Sequence, residues 1–138
     1  MSISTKEQAN SLHVLDLLYM ISDINFTRVE GREDLFIVTE PETELELLID
    51  VEDDIVVLAF DLGDVRVNGN VSPALAEYLL NANSSSVHGA FGLVNGHLYL
   101  KCNLQAENLD LNELYAAIQS MFYTIDGSIE TISTLVKE

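Results

Sequence analysis

Phe91-Gly92-Leu93-Val94-Asn95-Gly96-His97-Leu98-Tyr99-Leu100 has a turn signal at its centre and apolar residues at matched distances on either side. Asn-Gly is the preferred pair for a two-residue type I′ turn, because both positions must take positive φ. Such a turn sets Val94 opposite His97, Leu93 opposite Leu98 and Phe91 opposite Leu100. The apolar side chains of both arms then share one face, and a slip of one residue would turn them to the other. Cys102 and Leu104 continue that face, so Cys102 reads as a buried small hydrophobe rather than a nucleophile. An antiparallel hairpin with one buried face needs helices to cover it.

Those helices are legible on both sides. After the hairpin, Asp110 and Glu113 have the spacing of a capping pair. Leu111, Tyr115, Ile118, Phe122, Ile125, Ile129, Ile132 and Val136 then follow at intervals of 4, 3, 4, 3, 4, 3 and 4. This is an apolar helical seam with one weak point, Gly127, where a bend or break is expected. A helix of about 25 residues spans about 37 Å, whereas a strand of about six residues spans about 20 Å. The end of the seam is therefore expected to outrun its own sheet, leaving Ile129, Ile132 and Val136 for a second chain or a client segment.

Before the hairpin, Ser72-Pro73 opens a helix carrying Leu75, Leu79 and Leu80, which fades into the small polar run Asn81–Ser86. Further upstream the spacing is that of strands. Phe26–Val29 and Leu35–Val38 flank a turn at Gly31–Asp34. Glu42–Leu47 alternates charged with neutral residues, and Ile55–Phe60 is apolar at every position, as in a central strand covered on both faces. Glu52-Asp53-Asp54 is expected as the hairpin loop between them, and a short strand is expected at Val65–Val67, ended by Asn68-Gly69. The first helix opens with the capping box Ser4-Thr5-Lys6-Glu7 and presents Leu12, Val14, Leu15, Leu17, Leu18 and Ile21 on one broad face. The order is α-β-β-β(-β)-α-β-β-α. The expected fold is α+β, an antiparallel sheet with helices packed on one face, as a single domain over residues 1–138.

Composition removes several function classes. The 138 residues are 48% hydrophobic, enough to bury a core, and 23 acidic against six basic side chains give a net charge of −17. Nucleic acid and anionic membrane surfaces both call for basic residues that this chain lacks. No apolar run reaches the length of a membrane span and no leader opens the chain, so a cytoplasmic protein is expected. A lone Cys102 excludes an internal disulfide. Catalysis has no support either. His13, His88 and His97 stand in no catalytic motif, and the nucleophile elbow, zinc-helix, Cys-x-x-Cys and phosphate-loop patterns are all absent.

Two function classes remain. Ten acidic residues and no Lys or Arg lie between Glu40 and Asp64. Asp50, Glu52, Asp53 and Asp54 crowd one turn, with Asp61 and Asp64 near them if strands pair there. Ca²⁺ takes six to eight oxygens from such residues, which makes a Ca²⁺ site the alternative reading. The glycine that an EF-hand loop requires is replaced by Ile55, and a solvated acidic face explains the same residues. The other class is a non-enzymatic interaction module with no cofactor. It would bind a protein partner, or a second copy of itself, through apolar surface while its charge rejects wrong partners.

A family resemblance bears on the second class. Tyr78-Leu79-Leu80-Asn81, Gly89-Ala90-Phe91-Gly92-Leu93, Asn95–Leu100 and Leu109-Asp110-Leu111-Asn112-Glu113-Leu114 succeed one another as a helix ending in Leu and Asn, a glycine-turn hairpin, and a helix opening after a polar residue. This pattern resembles YbjN-like proteins and the class I type III secretion chaperones. The resemblance implies a small, acidic, often dimeric protein without catalysis, of the chaperone or regulator type. Secretion chaperones hold an extended client segment in apolar grooves; the resemblance carries no binding residue over to a position of this chain.

Overall fold

The computed structural model describes residues 4–138. The elements run α1 (Thr5–Tyr19), β1 (Asn25–Arg28), β2 (Leu35–Thr39), β3 (Leu47–Val51), β4 (Ile55–Asp64), α2 (Pro73–Ser84), β5 (Ala90–Val94), β6 (His97–Gln105) and α3 (Leu111–Leu135). The six strands form one antiparallel sheet in the order β1-β2-β3-β4-β6-β5, which is the α+β arrangement the sequence implies. The chain divides into two compact units. One holds the chain up to Phe60 together with Asn103–Ala116, and the other holds Asp61–Cys102 with Ala117–Glu138.

In the first unit, the Ser4 hydroxyl accepts the Glu7 amide at 3.0 Å and starts α1 as the capping box implies. Ser11, Val14, Leu17 and Leu18 are buried along α1. Leu12 is 57% exposed and does not belong to that face, because two residues at 100° each carry it about 200° from Val14. The end of α1 lies over β1 and β2: the Tyr19 ring meets Phe26 edge-on at 5.0 Å, and Phe26 meets Phe36 at 6.4 Å.

The strand expected at Glu42–Leu47 does not form. β3 begins only at Leu47, opposite Val38, and β2 ends at Thr39, so Glu42–Glu46 has no partner on the β2 side. Alternation without a partner strand is only an exposed chain. Glu52–Asp54 does form the β3–β4 loop, where Glu52 N–H donates to the Ile55 carbonyl. The loop is moored to α1, since Asn10 Nδ2 donates to the carbonyls of Glu52 and Asp53, and Lys6 pairs with Asp54. From the C-terminal segment of this unit, Ala106 N–H donates to Asp54 C=O at 3.0 Å. His13 Nε2 lies 2.6 Å from Leu109 C=O, and Tyr115 donates to Asp23 at 2.8 Å. The expected cap of α3 is complete in both directions: Glu113 N–H reaches Asp110, and Asp110 N–H reaches the Glu113 carboxylate.

In the second unit no strand forms at Val65–Val67. A single bridge joins Val67 to Asn70 across Asn68-Gly69, both at positive φ. Helix α2 opens at the Ser72 cap and runs on to Ser84, into the small polar run expected as a loop. The hairpin has the expected register, with Val94, Leu93 and Phe91 opposite His97, Leu98 and Leu100. Its turn residues Asn95 and Gly96 sit at φ 51° and 78°. A β-carbon on Gly96 would fall 2.3 Å from the Arg66 side chain, so this position takes glycine for space as well as conformation. Leu98, Leu100, Phe91 and Cys102 are buried, and burial pushes the Cys102 thiol above its usual range. Leu93 departs from the expectation at 40% exposed. Within α3, Ile118, Met121, Phe122, Ile125 and Ile132 are buried. The helix passes Gly127 unbroken, because that glycine lies on the exposed side while its neighbours Ile125 and Ser128 are held in the core.

Candidate protein-binding surfaces

The first unit buries one face of its strands and leaves the other half-covered. Leu47, Ile49 and Val51 of β3 and Val56, Leu58 and Phe60 of β4 are essentially inaccessible. The residues between them point the other way by the period of two. Cross-strand pairing lines up Thr27, Ile37, Leu48 and Ala59 in one row, and Leu35, Asp50 and Val57 in the next. Ile37, Leu48, Ala59, Leu35 and Val57 are all partly accessible. The expectation that Ile55–Phe60 is covered on both faces is therefore corrected, since only the Val56, Leu58 and Phe60 side is sealed. Sequence reading missed this surface, although its signal was present in the apolar residues at both parities of β2 and β4.

Asp50 sits within that face and borders a cleft of about 710 Å³ that also takes in Glu7, Arg32, Asp34, Glu52 and Asp53. Arg32 grips Asp34 through Nε and Nη2 at 3.0 and 3.3 Å and stands 3.9 Å from Asp50. The guanidinium holds the Asp34 carboxyl below the usual range. Asp50 is pushed up, first by burial and then by the charge of Asp34, with Arg32 opposing and Glu52 adding. Glu7 is pushed up by burial and by Asp34 and Asp53.

A carboxyl raised in the folded state stabilises the fold below its unfolded pKa, and that contribution is lost as pH rises through the folded value. Asp50→Asn is accordingly expected to stabilise the protein at pH 7. The gain stays below about 1 kcal/mol because the group is partly exposed and screened. It should shrink at pH 3, below the ordinary 3.8 of this carboxyl, where aspartate is itself largely neutral. Urea unfolding at the two pH values measures this.

The acidic residues singled out for Ca²⁺ have separate engagements. Asp53 accepts from the Ser4 hydroxyl, Asp54 pairs with Lys6, Asp50 faces Arg32, and Glu52 lines the cleft. In the second unit Asp61 pairs with His97, and Asp64 is held at about 2 by Arg66. Among the described residues no three carboxylate, histidine or cysteine side chains are arranged to hold a metal ion.

The second unit offers two further apolar places. One is a cleft of about 320 Å³ between α2 and β5, lined by Ala76, Leu79, Leu80, Asn83, Phe91 and Leu93. The other is a cleft of about 590 Å³ along the end of α3, bordered by Ile129, Thr131 and Leu135. Of the residues expected at an interface, Ile132 is buried within the protein at 4% exposed, whereas Ile129 and Val136 are half-buried.

The family profile CesT_Tir_1 matches residues 10–138. The chain belongs to the CesT_Tir_1 family of type III secretion chaperones. A chain of the heterodimeric complex ExoU-SpcU from the type III secretion system of Pseudomonas aeruginosa has a similar fold, with a TM-score of 0.54 and 18% identity over 80% of this chain and 86% of that one. No curated protein matches. The CesT_Tir_1 family is a non-enzymatic class. Among the described residues of this member no helix is long and apolar enough to cross a membrane.

Proposed function

We infer that this chain is a cytoplasmic secretion chaperone that holds a segment of a client protein against the half-covered sheet face of its first unit. The observation that carries this is the cross-strand row Ile37–Leu48–Ala59, flanked by Leu35 and Val57, on the side of the strands away from α1. Apolar rows left accessible on a protein this acidic are a typical mark of an interaction site. A client residue buried on them contributes roughly 1.5–3 kcal/mol. Several such residues give useful affinity after association costs. The surrounding negative charge disfavours acidic competitors and, by raising solubility, keeps the chaperone itself from aggregating.

A photo-crosslinking side chain at Leu48, in chains expressed in a host with its type III substrates, tests the reading. Crosslinks to a secreted substrate are expected from position 48 and not from Asp16, which is exposed on α1. Equal yields from both positions, or none from Leu48, would overturn it.

A second copy of the chain is the other partner the surfaces support. Ile129 and Val136 retain accessible apolar area at the end of α3. Two chains of charge −17 repel, so association is expected to strengthen as salt rises. Light scattering at low and high ionic strength measures it.

A further inference from the structure

The small polar run after Leu80 looks in sequence like a loop, yet two of its side chains reach the outer edge of β5. That strand ends the sheet order, so its outer edge has no strand neighbour. A two-residue turn makes Val94–His97 a hydrogen-bonded pair, followed by Gly92–Tyr99 and Ala90–Lys101. The main-chain groups of Phe91 and Leu93 therefore face outward; of Gly89, just before the strand, the carbonyl meets Ser86 while the N–H bonds to the Cys102 sulfur. Asn83 meets Phe91 with both ends of its carboxamide: Oδ1 accepts the Phe91 N–H at 2.7 Å, and Nδ2 donates to the Phe91 carbonyl at 3.0 Å. A carboxamide has the same donor and acceptor as a peptide unit, so Asn83 gives Phe91 the pairing that a neighbouring strand would give. The Ser86 hydroxyl lies 2.8 Å from the Gly89 carbonyl and 3.0 Å from that of His88, and its single proton serves the two in turn.

We propose that Asn83 and Ser86 form a side-chain seal that closes the β5 edge to strand addition by a second copy of this chain. With both main-chain groups of Phe91 engaged, Leu93 is the one outward-facing residue of β5 without such a contact among the described residues, and a single residue is too short to template a strand. The occupant kept out is a second β5. Two identical edges can pair antiparallel about a two-fold axis. The accessible Leu80, Val87, Leu93 and Val94 around this edge would add apolar burial to the pairing. An unsealed edge of this kind is an association hazard that native sheets commonly guard against. The seal acts by hydrogen bonding and so adds no charge to the apolar cleft beside it.

Native-state hydrogen exchange on the unaltered protein, read at single residues, is the first test. The Phe91 amide is expected to exchange at least about tenfold more slowly than the Leu93 amide, the ratio a single retained hydrogen bond supports. Equal exchange at the two amides overturns the proposal. In Asn83→Ala/Ser86→Ala the Phe91 amide is expected to exchange as fast as that of Leu93. The chain should also gain an intermolecular strand signal in the infrared that the unaltered protein lacks, whatever association the end of α3 supports in both. A double variant with an open Phe91 amide but an unchanged oligomeric state overturns the seal as a barrier to pairing. If the variant does not fold, the exchange ratio in the unaltered protein still decides between the two outcomes.

Discussion

Replacing Leu47 by aspartate is expected to unfold the protein at 25 °C, while the same replacement one residue on, at Leu48, leaves it folded. Leu47 is wholly inaccessible. Its loss removes roughly 1.5–3 kcal/mol of apolar burial. A carboxylate in its place adds a penalty of several kcal/mol for an unpaired buried charge. Together these approach the whole stability of a small protein, about 5–15 kcal/mol. Leu48 points to the half-covered face, between Ile37 and Ala59 on the neighbouring strands. There a polar residue forfeits cross-strand contacts of roughly 0.2–1 kcal/mol each and meets some repulsion from Asp50 two residues on. Circular dichroism and urea unfolding separate the two variants. A folded Leu47→Asp, or an unfolded Leu48→Asp, would mean that the faces of β3 are assigned the wrong way round.

Phe36→Ala is expected to lower stability by about 3–5 kcal/mol, the range for deleting a fully buried phenylalanine. Phe36 is inaccessible, its ring meets that of Phe26, and the Arg28 guanidinium stands 5.4 Å from its centre. Truncation would leave a cavity beneath the end of α1, where Tyr19 rests on Phe26, and strip Arg28 of its aromatic partner. Urea unfolding at constant m should report the loss as a lower midpoint. A cost under about 1.5 kcal/mol, typical of swaps that leave a core filled, would show that the site collapses around the missing ring.

What the sequence makes legible here is whatever is settled by neighbours in the chain. Ser4 with Glu7, Asp110 with Glu113, Ser72 before Pro73, and Asn95-Gly96 each specify their own geometry within a few residues, and each forms as expected. Glu42–Glu46 stays out of the sheet although its charges alternate, because alternation says nothing about whether β2 reaches that far. The half-covered face was within reach, since β2 and β4 are apolar at both parities. Distinguishing a face covered by the protein's own helix from one left for a partner requires knowing where α1 lies. Asn83 was invisible for the same reason: its partner is the main chain of Phe91, and any residue could have supplied that.

The composition of the first unit bears on how the chain is made. Its two segments, up to Phe60 and Asn103–Ala116, are separated by the part of the chain that builds the second unit. The ties that join them link residues far apart in sequence, 96 positions between His13 and Leu109 and 92 between Asp23 and Tyr115. A ribosome adds roughly 5–20 residues per second. The strands up to Phe60 therefore leave it and wait several seconds for the segment that closes them. During that interval α1, β1, β2 and β3 exist without Leu109 and Tyr115, and the loop around Asp54 lacks the Ala106 amide. The first part of this chain to be synthesised is among the last to be finished.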